Sequence, residues 1–139
     1  MASTADSELN PGVLDIDAAA VVDRICDRLR EILRKQLHKR GFVVAISGGV
    51  DSAVCAALCV KALGKGKVFG LLLPEKDSAS SSENLGRTVA EQLGIEYELH
   101  NIAPTLDKIG CYTWRDQAIK SVFPQYDGTW PNKIVISGG

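Results

Sequence analysis

Zinc-binding patterns are missing from this sequence. Its four cysteines, Cys26, Cys55, Cys59 and Cys111, contain no C-x-x-C pair and share no spacing with the two histidines, His38 and His100. Cys55 and Cys59 lie one helical turn apart, which in an alanine-rich helix reads as packing of small residues and points to a reducing compartment. A strong net charge is missing too. With 16 lysines and arginines against 17 acidic residues, the formal charge is −1 and the pI about 6.1, so nothing in bulk electrostatics marks a nucleic-acid partner. No apolar run approaches membrane-spanning length, and Met1 to Glu8 has neither a basic nor an apolar leader region. The expectation is a cytoplasmic protein without a membrane or nucleic-acid partner.

What is present is ordinary for a globular chain: 139 residues, 45% hydrophobic and 24% charged, enough for one domain with a modest core. The polar start, with a turn at Asn10-Pro11-Gly12, reads as a flexible tail over residues 1–14. From Asp17, a candidate N-cap, apolar residues recur at Val21, Val22, Ile25, Leu29, Ile32, Leu33 and Leu37, the spacing of an amphipathic helix stopping at Gly41. Arg24, Arg28, Arg30, Arg34 and Lys35 form its solvated face, and His38 sits near its end as a cap or surface residue.

Next comes the apolar run Phe42 to Ile46, then Ser47-Gly48-Gly49-Val50-Asp51-Ser52, then the helix-forming Ala53 to Leu63 closed by Gly64. A strand, a glycine turn and a helix start together make an anion cradle, because the turn frees backbone N–H groups at the positive end of the helix dipole. No Walker lysine follows the glycines. Asp51 stands there instead, and a carboxylate among phosphate-facing amides implies a bridging divalent cation, which makes Asp51 a Mg²⁺ ligand. Two other readings compete: an ordinary Gly-Gly turn with an Asp-Ser cap, and a serine-hydrolase elbow approximated by Ala45-Ile46-Ser47-Gly48-Gly49, with Asp77 and His100 in triad order.

Further along, Lys67 to Leu73 reads as an apolar strand buried on both faces. A helix opens at Ser80 and Glu83 in capping-box spacing and closes at Gly94, and Ile95 to Leu99 reads as a third strand. Leu106 to Ile109 and Tyr112 to Val122 look helical, and Ile134 to Ile136 could be a strand. Asp107, Asp116 and Asp127 fall in helix-start or turn contexts, and Trp114 and Trp130 read as packing residues. Strands alternating with helices imply right-handed crossovers and a parallel sheet, with ligand bound beyond the carboxyl ends of the strands.

The hexapeptide from Ser47 to Ser52 matches the SGGxDS signature of the PP-loop ATP pyrophosphatases, a superfamily that includes NAD synthases, GMP synthases and tRNA-thiolating enzymes. The segment Leu71-Leu72-Leu73-Pro74-Glu75-Lys76-Asp77-Ser78 resembles the one that follows the second strand in NAD synthases, where the chain passes the adenine. Gly110-Cys111-Tyr112, Arg115 to Ile119, Val122-Phe123-Pro124 and Trp130 to Val135 are similar to NAD synthase-like proteins found with surface-polysaccharide biosynthesis. The resemblance implies an α/β fold, a Rossmann-like parallel sheet with flanking helices, here an incomplete adenine nucleotide alpha hydrolase-like domain over residues 15–139. It implies ATP and Mg²⁺ held by Ser47, Gly48, Gly49, Val50, Asp51, Ser52 and Leu73, with Asp51 on the metal. It implies adenylation of nicotinic acid adenine dinucleotide, displacement of AMP by ammonia to give NAD, and a possible homodimer. GMP or asparagine synthesis would use the same loop, and an ATP-binding fragment without catalysis would share it. The residues for the acceptor, and the catalytic groups, are not assigned by these motifs.

Overall fold

The computed structural model describes residue 12 and residues 15–78 and 80–130. The expected tail over residues 1–14, apart from Gly12, and the expected strand at Ile134 to Ile136 lie outside the described residues.

Asp17 caps the first helix as its sequence context predicts: its backbone is extended and its carboxylate accepts the Ala20 N–H at 3.1 Å. That helix, α1, runs Ala18–Glu31 and passes into a π turn over Ile32–Gln36. The chain therefore leaves helical structure before Gly41. His38, exposed and with φ of 52°, takes the left-handed position that ends it. Strand β1 follows at Phe42–Ala45, then α2 at Val50–Leu63, β2 at Val68–Leu72, α3 at Ser80–Leu93, β3 at Glu96–Leu99, α4 at Ala103–Lys108 and α5 at Cys111–Val122.

The strands form a parallel sheet in the order β1-β2-β3, with Phe42 opposite Val68 and Phe69 opposite Glu96. Because both crossovers step in the same direction, right-handedness puts α2 and α3 on the same face. The core lies there: Ile46, Val68 and Leu72 from the sheet side meet Ala56 and Cys59 of α2 and Ala90 of α3, with Leu29 of α1 packed against them. Cys59 thus packs in the core, where burial pushes its thiol up, while Cys55 faces outward.

The expectation that the second strand is buried on both faces is corrected. Phe69 and Leu71 are only half-buried, and their register partners Val43 and Ala45 are exposed, so this face of the sheet has no helix cover among the described residues. A crossover stepping from β1 in the opposite direction would cover it, and among the described residues β1 is an edge of the sheet.

Arg30 also departs from its solvated reading. Its Nε donates to Ala62 O at 2.7 Å and its Nη2 to Lys61 O at 3.4 Å, so α1 caps the carbonyl end of α2. Arg30→Ala is expected to lower unfolding free energy by about 1 kcal/mol, the exposed side of the range for a charged hydrogen bond, measurable by urea titration. Arg28→Ala, which removes only an exposed pair with Glu31 on the same helix, is the neutral control.

Candidate functional site

At the carboxyl end of β1 the chain turns through Ser47, Gly48 and Gly49 and enters α2 with Gly49 as N-cap. Gly48 has φ of 83°, a left-handed value that glycine adopts freely. Space also demands glycine: a Cβ there would lie 2.4 Å from the Ser82 carbonyl oxygen of α3. Gly86 lets α3 come that near, since a Cβ on it would meet Ile46 O and Leu72 Cδ2, each at 3.3 Å.

Two hydroxyls close the loop upon itself. Ser52 Oγ donates to Gly49 O at 2.9 Å and accepts the Ser47 N–H at 3.2 Å, while Ser47 Oγ accepts the Gly49 N–H at 3.3 Å. The two hydroxyl oxygens are 3.1 Å apart, and with the Ser52 proton committed to Gly49 O, Ser47 is the donor between them. Among the described residues, no acceptor engages the N–H groups of Gly48, Val50, Asp51 or Ser52. Four unpaired donors at a helix start form a cradle for an anion. Asp51 is exposed in the first turn of α2, and no hydrogen bond or ion pair among the described residues holds its carboxylate.

Beside the loop lies a cleft of about 80 Å³ lined by Ile46, Ser47, Leu72, Leu73, Pro74, Ser78, Ser82 and Glu83. Ser47 and Leu73, which the family resemblance assigned to one site, therefore line the same cleft. Val50 is 74% exposed, so its contribution to the cradle is its N–H. Sequence reasoning missed Ser82 as a lining residue, and the capping box expected at Ser80 lies outside the described side chains. Glu83 accepts both Nε and Nη2 of Arg87, at 3.2 and 3.0 Å. The glycine inside α3 was the available signal, because an interior helical glycine marks a close backbone approach. A larger hollow of about 670 Å³, lined by Arg40, Phe42, Lys65, Val68 and Glu96 among others, lies at the opposite, amino ends of the strands, away from where parallel sheets bind ligand.

The hydrolase arrangement does not assemble. Ser47 bonds within its own loop, Asp77 pairs with Arg115, and His100 Nε2 lies 3.1 Å from Glu98 Oε2.

A family model for NAD synthase matches residues 21–122. The chain belongs to the NAD synthase family. Within it, the chain is 49% identical over 124 residues to the NH₃-dependent NAD⁺ synthetase of Mesorhizobium japonicum, covering 89% of this chain and 39% of that protein. The Rhizobium rhizogenes NH₃-dependent NAD⁺ synthetase is 45% identical over 131 residues, with 94% and 40% covered. Among solved structures, the NH₃-dependent NAD synthetase from Campylobacter jejuni superposes with a TM-score of 0.57 at 26% identity, over 84% of this chain and 44% of the other. The chain thus spans about two-fifths of the length of the relatives it matches. The family's PP-loop fold agrees with the Rossmann-like α/β arrangement of this chain. Among the described residues, no helix is long and apolar enough to cross a membrane.

Proposed function

We propose that this chain is the ATP-binding portion of an ammonia-dependent ligase that converts nicotinic acid adenine dinucleotide to NAD, releasing AMP and pyrophosphate. The observation that carries the reading is the cradle of four unpaired N–H groups, at Gly48, Val50, Asp51 and Ser52, beyond the carboxyl end of β1 in a chain of this family. In that reaction the acceptor carboxylate attacks the α-phosphorus of ATP and pyrophosphate departs, after which ammonia displaces AMP from the acyl adenylate.

This chain's residues act on the departing end. The cradle N–H groups hold the β- and γ-phosphates, joined by the Ser47 and Ser52 hydroxyls once these turn their protons from the loop to the phosphate oxygens, placing dipoles where negative charge collects. Leu73 and Pro74, on the other wall of the cleft, face the adenine. No covalent nucleophile is needed. The donor set fits Mg²⁺ on a nucleotide, which commonly takes one or two carboxylates plus phosphate oxygens: the exposed Asp51 carboxylate stands in the first turn of α2 beside the unpaired N–H groups. Asp51 is the carboxylate that would hold it, and the ion would supply charge neutralisation on pyrophosphate. A cytoplasmic location and a homodimer of the whole protein complete the reading.

The coverage of two-fifths of its relatives favours a second reading for the isolated chain, an ATP-binding unit without turnover. Pyrophosphate release from Mg·ATP, with and without nicotinic acid adenine dinucleotide and ammonium, separates the two. NAD together with AMP, detected by mass, is the outcome expected of the first reading. Bound ATP without pyrophosphate release supports the second. Turnover that responds to a different acceptor would move the protein to another amide ligase of the superfamily, such as a GMP or asparagine synthase type.

A further inference from the structure

The wall of the cleft formed by Leu73, Pro74 and Ser78 belongs to no helix or strand. Its own hydrogen bonds are few: Ser78 N–H to Glu75 O at 3.1 Å, Glu75 N–H to Ser78 Oγ at 3.0 Å, and Pro74 O accepting the Ile102 N–H at 2.9 Å. What grips it is α5, more than thirty positions along the chain. Tyr112, buried, donates its hydroxyl to Glu75 Oε2 at 3.0 Å and accepts the Lys76 N–H at 3.2 Å. The Lys76 ammonium and the Arg115 guanidinium both lie over the Tyr112 ring, 5.4 and 5.3 Å from its centroid. Arg115 Nη1 binds Asp77 Oδ2, and its Nε and Nη2 both donate to Asp116 Oδ1 at 2.9 Å. Asp116 also accepts the Tyr126 hydroxyl at 3.4 Å, which ties residues beyond α5 into the same cluster.

Three consecutive residues, Glu75, Lys76 and Asp77, are therefore each held by one of two side chains of a single helix. Burial, followed by the Glu75 carboxylate, pushes the Tyr112 phenol up, so it keeps its proton and remains a donor. A loop held in this way is ordered when the chain folds, and the entropy of ordering it does not recur when a ligand arrives.

We propose that Tyr112 and Arg115 are positioning residues for the nucleotide site: they clamp residues 75–77 so that Leu73, Pro74 and Ser78 stand as a preformed wall facing the Ser47–Ser52 loop. The proposal rests on the reading of this cleft as the ATP site. Neither residue touches ATP; each acts through the segment it holds.

The test compares the full chain with Tyr112→Phe, which removes one hydroxyl and keeps the ring, and with Arg115→Gln. Hydrogen exchange of the peptide spanning 75–78 is measured without nucleotide, and Mg·ATP affinity by calorimetry. Each variant is expected to speed exchange in that peptide about tenfold and to weaken ATP about tenfold, the worth of a single hydrogen bond. Exchange in β1, β2 and β3 stays unchanged. The double variant should fall short of the product of the two, since both side chains hold the same segment. Unchanged exchange at 75–78 overturns the clamp, and so does faster exchange with ATP bound as tightly as before. Faster exchange throughout the sheet marks a general loss of stability and overturns it as well. An unaltered chain that binds no ATP overturns the nucleotide reading, and this proposal with it.

Discussion

Gly48→Val is expected to abolish ATP binding, by 100-fold or more, and to cost the fold roughly 2 to 4 kcal/mol of stability. Two independent effects add at this position. The left-handed φ of 83° disfavours any residue with a Cβ and a β-branched one most of all. The added Cβ would also stand 2.4 Å from Ser82 O and 3.0 Å from Leu85 Cβ. Backbone must then move, and α3 has little room to retreat because its Gly86 is in close contact with Ile46 O and Leu72. Relief comes from opening the loop, which would displace the four unpaired N–H groups of the proposed phosphate cradle. Gly49→Ala is the control. Its φ is −83°, and an added Cβ would meet only Ser47 Oγ, at 3.5 Å, so stability should change by less than about 0.5 kcal/mol. Urea titration and calorimetry with ATP read both quantities. ATP bound normally by the valine variant would show that phosphate is held elsewhere.

The same geometry explains which parts of this molecule the sequence made legible. Local rules act over a few residues, and where they alone decide, they succeed: Asp17 caps α1, the Ser47–Ser52 turn connects β1 to α2, and α3 closes at Gly94. Pairings that depend on the third dimension left a weaker trace. Nothing in a run of arginines says that Arg30 alone reaches the carbonyls of α2, whereas Arg28 pairs with Glu31. Tyr112 and Arg115 sit on a helix whose pattern was visible, yet their partners at Glu75, Lys76 and Asp77 are 36 to 38 positions away. Trp114 illustrates the converse. It reads as a packing residue and is 66% exposed, because α5 turns Tyr112 and Arg115 toward the loop instead. The apolar second strand implied two covered faces, and among the described residues helices cover one. Strand order decides that, and strand order is a property of the whole sheet.

A mutation at Asp51 separates the metal from the rest of the phosphate site. The carboxylate stands exposed in the first turn of α2 with no partner among the described residues, where its negative charge would oppose the polyphosphate that the proposed function seats on the neighbouring N–H groups. Without a cation that opposition weakens binding; with one, the charge becomes the reason the cation stays. Asp51→Asn keeps the side-chain shape and removes the charge, so both effects should disappear together. The expected result is an inversion: in Mg²⁺ the variant binds ATP about 30-fold more weakly than the unaltered chain, and in chelator it binds as tightly or more tightly. The magnitude follows from two unit charges about 4 Å apart near a surface, worth about 4 kcal/mol, with roughly half surviving exposure and screening. Fold stability should fall by less than about 1 kcal/mol, the favourable interaction of an acid with a helix start, so loss of binding cannot be mistaken for unfolding. Calorimetric titration of both proteins with ATP, in Mg²⁺ and in chelator, gives the four affinities. Equal Mg²⁺ dependence in the two would remove Asp51 from the metal site while leaving the N–H cradle untouched.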